Sequence, residues 1–123
     1  MRIKKVKIGI RSLKDSFNDV KDVVKRIEAG EKLKPVTEPE IYFESFDVVR
    51  KALTPKRLEL MHIIKTGHPS SVNELARMAH RDIKNVTSDV QYLEQIGLIE
   101  KKAKDRKTRP VINYDKISLE IAV

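Results

Sequence analysis

Residues 70–109 read SSVNELARMAHRDIKNVTSDVQYLEQIGLIEKKAKDRKTR. Ser71 with Glu74 three positions on is a capping box, and it opens a helix that turns Leu75, Ala76 and Met78 or Ala79 inward. A second helix is expected over 82–95, stopped at Gly97. In it Ile83, Val86, Val90 and Leu93 fall within one arc at about 100° per residue, which makes them a buried face. Opposite lie Lys84, Ser88, Gln91 and Gln95, flanked by Asn85 and Thr87. Short hydrogen-bonding side chains of this kind can read base edges, whereas the alternative is an ordinary solvated helix surface. Two strands follow, over 98–104 and 109–114, joined by a charged tip. The segment 101–109 sets Lys101, Lys102, Lys104, Arg106, Lys107 and Arg109 against Asp105, so it carries +5 of the chain's +8. Cations on a hairpin displace counterions from a phosphate backbone; the alternative is solubility and protection of a strand edge.

Upstream, Thr54 before Pro55 starts a helix through Leu58, Met61 and Ile64 that ends at Gly67. Ser45 caps a shorter helix expected to bury Phe46, Val49 and Leu53, and residues 41–43 form a short strand. At the start of the chain Val6, Ile8 and Ile10 alternate with Lys5 and Lys7, the pattern of a strand with one buried face. From Ser12, an N-cap, Leu13, Phe17, Val20, Val24 and Ile27 recur at helical steps until Gly30. The stretch GEKLKPVTEPE, 30–40, lacks periodicity and reads as a loop at a boundary. Ile117, Leu119, Ile121 and Val123 alternate in a last strand. The fold class is therefore α+β: three helices with a tight turn between the last two, then a hairpin, as in a winged helix-turn-helix. The expected partition is an N-terminal strand and helix over 1–34 and a DNA-binding domain over 41–123.

Composition narrows the chemistry. The 123 residues contain no Cys and no Trp, which excludes disulfides, thiolate metal sites and cysteine nucleophiles. A pI near 9.7 suits a polyanionic partner. The N-terminus has no apolar signal-peptide core and no run is long enough to span a bilayer, so a cytoplasmic protein is expected. His62, His68 and His80 do not stand at metal-ligand spacing, GxGxxG and GxxxxGK are absent, and the carboxylates are scattered. Neither enzymatic activity nor a metal or other cofactor is expected. Asp15, Asp19, Asp22 and Glu28 on the polar face of the first helix argue against membrane binding.

The elements YFESF, LTPKRLEL, ELARMAHRDIKNV and LEQIGLI, with EAGE at 28–31, resemble the predicted archaeal and bacterial transcriptional regulators that carry a winged helix-turn-helix and are broadly related to the MarR-like group. One departure is His80, where that family usually has Gly; His tolerates a left-handed backbone better than most residues. The resemblance implies sequence-specific binding of double-stranded DNA to control transcription. Arg81, Lys84, Asn85, Thr87, Ser88 and Gln91 are then expected in the major groove, with Ser70, Ser71 and the hairpin cations on phosphates. Leu13, Phe17, Val20, Val24 and Ile27 are expected to form a homodimer contact, the alternative being a simple extension of the core. Some members of that group resemble antitoxins, so residues 1–53 are the alternative binding surface for a toxin protein.

Overall fold

A computed structural model of the chain describes residues 4–11, 13–31 and 40–123, with the side chains of 13–16 and of Lys104 outside the description. Ser12, read as an N-cap, and most of the 30–40 loop lie outside the described residues. Two units divide the chain, one formed by residues 1–49 with 114–123 and the other by 50–113. The architecture is α+β.

In the first unit, β1 (Lys5–Ile10) lies between β2 (Glu40–Phe43) and β5 (Lys116–Glu120), and both neighbours run parallel to it. Parallel neighbours need a crossover, and the one between β1 and β2 contains α1 (Leu13–Glu28). Register sets Ile8 beside Ile41 and Leu119, and Val6 beside Ile117, so one face of the sheet is apolar. Val6, Ile8 and Phe43 are buried there. The backbone amide of Lys4 donates to Asp115 Oδ2 at 2.9 Å, and the Asp115 amide returns a bond to the Lys4 carbonyl, fixing where β5 begins. The partition expected at 34 and 41 differs from this division because β2 and β5 both hydrogen-bond to β1. The division falls instead inside α2 (Phe46–Ala52). Val49 is buried as expected, but Phe46 is exposed and Leu53 follows the helix.

The second unit is built from α3 (Pro55–Gly67), α4 (Val72–Ala79) and α5 (Ile83–Gln95), followed by the antiparallel pair β3 (Glu100–Lys104) and β4 (Lys107–Val111). Each helix starts where a side chain accepts from a free amide: Thr54 from Arg57 N, Ser71 from Glu74 N and Asp82 from Lys84 N. His68 and His80 end α3 and α4 in the left-handed conformation, so the α4–α5 turn forms without glycine. Gly97, at φ 88°, turns the chain from α5 toward the hairpin. α4 packs on α3 and on α5, and β4 lies against α3 and α4. The core between them is Leu60, Met61, Ile64, Leu75, Ala76, Val86, Val90, Leu93, Leu98 and Ile99. Ile83 departs from the expected buried arc and is 39% exposed in the first turn of α5. No described helix is long and apolar enough to cross a membrane.

Candidate nucleic-acid interface

The exposed side of α5 follows from its buried one. With Val86, Val90 and Leu93 in the core, Lys84, Asn85, Ser88, Gln91 and Gln95 are left in solvent and Thr87 is half-buried at the margin. Lys84 is the single cation among them.

Arg81 does not join this face. Its Nη2 donates to Asp89 Oδ2 at 2.8 Å, while Arg57 Nε donates to Asp89 Oδ1 at 3.1 Å, so one carboxylate holds two guanidinium groups. The three side chains are only 16–20% exposed. Arg57 Nη1 also donates to the carbonyls of Lys51 and Ala52, and its guanidinium lies 4.1 Å from the centre of the Tyr92 ring. The Arg81 guanidinium, expected in the major groove, thus fastens the α4–α5 turn to α5 through Asp89. Its Nη1 is buried without a partner among the described residues, and a buried orphan donor costs about 1–3 kcal/mol. Sequence reasoning gave Arg57 and Asp89 no role. The signal was Asp89 lying between Val86 and Val90, at the edge of the apolar arc.

The hairpin differs from the expected strands at 98–104 and 109–114. Lys104 pairs with Lys107, so the loop is only Asp105 and Arg106, both at positive φ (51° and 67°). This is the mirror-image turn that suits strand twist, for which Gly is strongly preferred in the second position that Arg106 fills. Lys107 consequently belongs to the strand with Arg109 and not to the tip. Directly opposed residues share a face, and register opposes Lys102 to Arg109. Lys101 opposes Pro110, which is buried, so the face of Pro110 packs inward and the face of Lys102 and Arg109 points outward. Like charges directly across a ladder destabilise it. Lys102, Arg106, Lys107 and Arg109 are exposed, and none has an ion-pair partner among the described residues. Lys101 is engaged, its Nζ 3.0 Å from Glu94 Oε2. The Lys104 side chain lies outside the described ones.

Ser71 Oγ accepts from Glu74 N at 3.1 Å, and the Ser70 hydroxyl donates to Glu74 Oε2. The box closes through Ser70, so both hydroxyls that were expected on phosphates have partners within the chain.

Of the stripe expected at a dimer contact, Phe17, Val20, Val24 and Ile27 are all exposed, Phe17 at 67%, while the Leu13 side chain lies outside the described ones. The opposite face of the first unit's sheet is polar. There Lys7 Nζ lies 3.1 Å from Glu120 and 3.7 Å from Glu40, and the Tyr42 hydroxyl donates to Glu40. That bond lowers the Glu40 pKa and raises that of Tyr42. The Tyr42 ring lies so close over Gly9 that a Cβ there would stand 2.9 Å from it, and Arg11 covers the ring at 4.6 Å. Among the described residues no three acidic or histidine side chains gather as metal ligands.

The family model HVO_A0114 matches residues 52–119, more than half of the 123. The chain belongs to the HVO_A0114 family. The match takes in α3 through β4 and nearly all of β5, so it includes both the α5 face and the hairpin. No curated protein matches the chain.

Proposed function

We propose that this member of the HVO_A0114 family is a winged helix-turn-helix transcriptional regulator of MarR-like type that binds double-stranded DNA. The carrying observation is the outward face of the β3–β4 hairpin, where Lys102 opposes Arg109 and Arg106 occupies a position suited to Gly. Opposed cations and a strained charged turn both destabilise an isolated hairpin, and a polyanion laid along that face removes the repulsion. The α5 face of Lys84, Asn85, Ser88 and Gln91 is the complementary part: one charge, and side chains suited to base edges in the major groove. α5 reads sequence and the hairpin holds the backbone.

A second copy of the chain is the proposed partner on α1. Phe17, Val20, Val24 and Ile27 repeat at alternating steps of three and four, the spacing of a helix seam that buries against another helix. A two-fold dimer then presents two copies of α5 to half-sites about one helical turn apart. The antitoxin reading uses the same face for a toxin protein.

The test is selection of a preferred duplex by the purified protein, followed by polarisation titrations on that duplex and on a random one. Alanine at Lys84 and Ser88 is expected to cost roughly 1–3 kcal/mol on the preferred duplex and little on the random one. Absence of duplex binding by the wild type, or equal losses on both duplexes, removes the reading.

A further inference from the structure

At the turn from α4 to α5 an open cavity of about 530 Å³ is lined by Asn73, Ala76, Arg77, His80, Arg81 and Ile83. Three of these side chains are basic types and none is acidic. The left-handed backbone of His80, at φ 54°, puts Arg77, His80 and Arg81 around one short turn. Asp82, the nearest acid in sequence, accepts from Lys84 N as the cap of α5. Arg77 is exposed, with no ion-pair partner among the described residues. Arg81 gives one amino group to Asp89, and the other, Nη1, is buried with none of the described residues as its acceptor. A guanidinium has five N–H donors in a planar fork, and the ligand such a fork matches is a compact oxyanion with several acceptor atoms.

We propose that this cavity seats one phosphodiester of the nucleic-acid backbone, with Arg77 and Arg81 as its cations. The proposal rests on the DNA-binding reading and deepens it. Arg81 becomes a backbone anchor instead of a base reader, and the turn becomes a third contact region besides α5 and the hairpin.

The test uses the full chain, its preferred duplex and a random duplex, each titrated across salt. Arg77→Gln is expected to flatten the slope of log K against log salt by about 0.9 on both duplexes alike, roughly a threefold to fourfold change in salt sensitivity between 50 and 200 mM. Replacing single phosphates by neutral methylphosphonates, one position at a time, is expected to reveal one that weakens the wild type but not Arg77→Gln. Asn73→Ala, which changes no charge and leaves the Asp89 ion pairs in place, is expected to keep the slope. Duplex binding with an unchanged slope in Arg77→Gln, or no such phosphate position, overturns the proposal. A wild type that binds no duplex overturns both this proposal and the functional reading. An intact wild-type complex beside an indifferent Arg77→Gln overturns this proposal alone.

Discussion

Replacing Lys102 by Gln and Arg106 by Gly is expected to raise stability and lower DNA affinity together. Opposed like charges at Lys102 and Arg109 cost about 0.2–1 kcal/mol, and Gln ends that repulsion. At φ 67° a side chain with a Cβ costs about 1–2 kcal/mol, which Gly avoids. The added freedom of Gly in the unfolded chain offsets roughly 0.5–1 kcal/mol of this. The net gain is about 1–2 kcal/mol, a rise in melting temperature of roughly 3–8 °C for a domain of this size. Binding moves the other way. Two lost phosphate contacts at about 0.9 each flatten the salt slope by about 1.8, so between 50 and 200 mM salt the wild type loses roughly tenfold more affinity than the variant. Thermal melts and polarisation titrations at matched salt measure both. Near 1 M salt, where screening acts over about 3 Å, the part of the stability gain that comes from Lys102 should shrink. A variant that melts lower than the wild type, or keeps its salt slope, refutes the outward, phosphate-facing arrangement of the hairpin.

Asp89→Asn leaves two guanidinium groups facing each other without their anion, and urea denaturation is expected to show a loss of about 1–3 kcal/mol; an unchanged midpoint means the ion-pair anchor carries no stability. Aspartate at Phe17 and Val24 together is expected to give monomers in sedimentation with weak residual DNA binding, while a wild type already monomeric at micromolar concentration dismisses the dimer. Burial raises the Tyr114 pKa, and the bond to Glu40 raises that of Tyr42, each above the ordinary 10.0. The folded chain then holds protons that the unfolded chain releases. Stability from these groups is full below pH 10 and falls as pH rises through the folded values, so tyrosinate absorbance should appear late and together with unfolding. Ordinary titration of both tyrosines in the folded chain contradicts that linkage.

The elements legible in the sequence are those with local causes. Thr54 before Pro55, Ser71 with Glu74, Asp82 and Gly97 each satisfy or redirect a few backbone groups beside them, and α3, α4 and α5 begin or end there. Alternation at Val6 and Ile8 gave β1 for the same reason. Pairing partners were not legible. Alternation at Ile117 and Leu119 marks a strand but is silent on its neighbour, and β5 returns to β1 across more than a hundred residues of chain. The hairpin boundaries were misread because a two-residue turn usually announces itself by Gly, and here Arg106 stands in that place. The Arg81–Asp89 pair is not legible because Asp89 lies two helical turns on, where periodicity reports a margin and not a contact.

These corrections redistribute the labour of the proposed interface. With Arg81 withdrawn into an ion pair and Lys101 tied to Glu94, the α5 face carries one cation, Lys84, among neutral hydrogen-bonding side chains. A face with one charge releases few counterions, so it supplies little sequence-independent affinity. Among the described residues, exposed cations without ion pairs also stand on the hairpin and at Arg77, and laid along phosphates, as proposed, they carry no sequence information directly. In the proposed interface affinity and specificity would be carried by different elements of the second unit. Salt should then change how tightly DNA is held while leaving the ratio between preferred and random duplexes nearly constant, and substitutions on α5 should do the reverse.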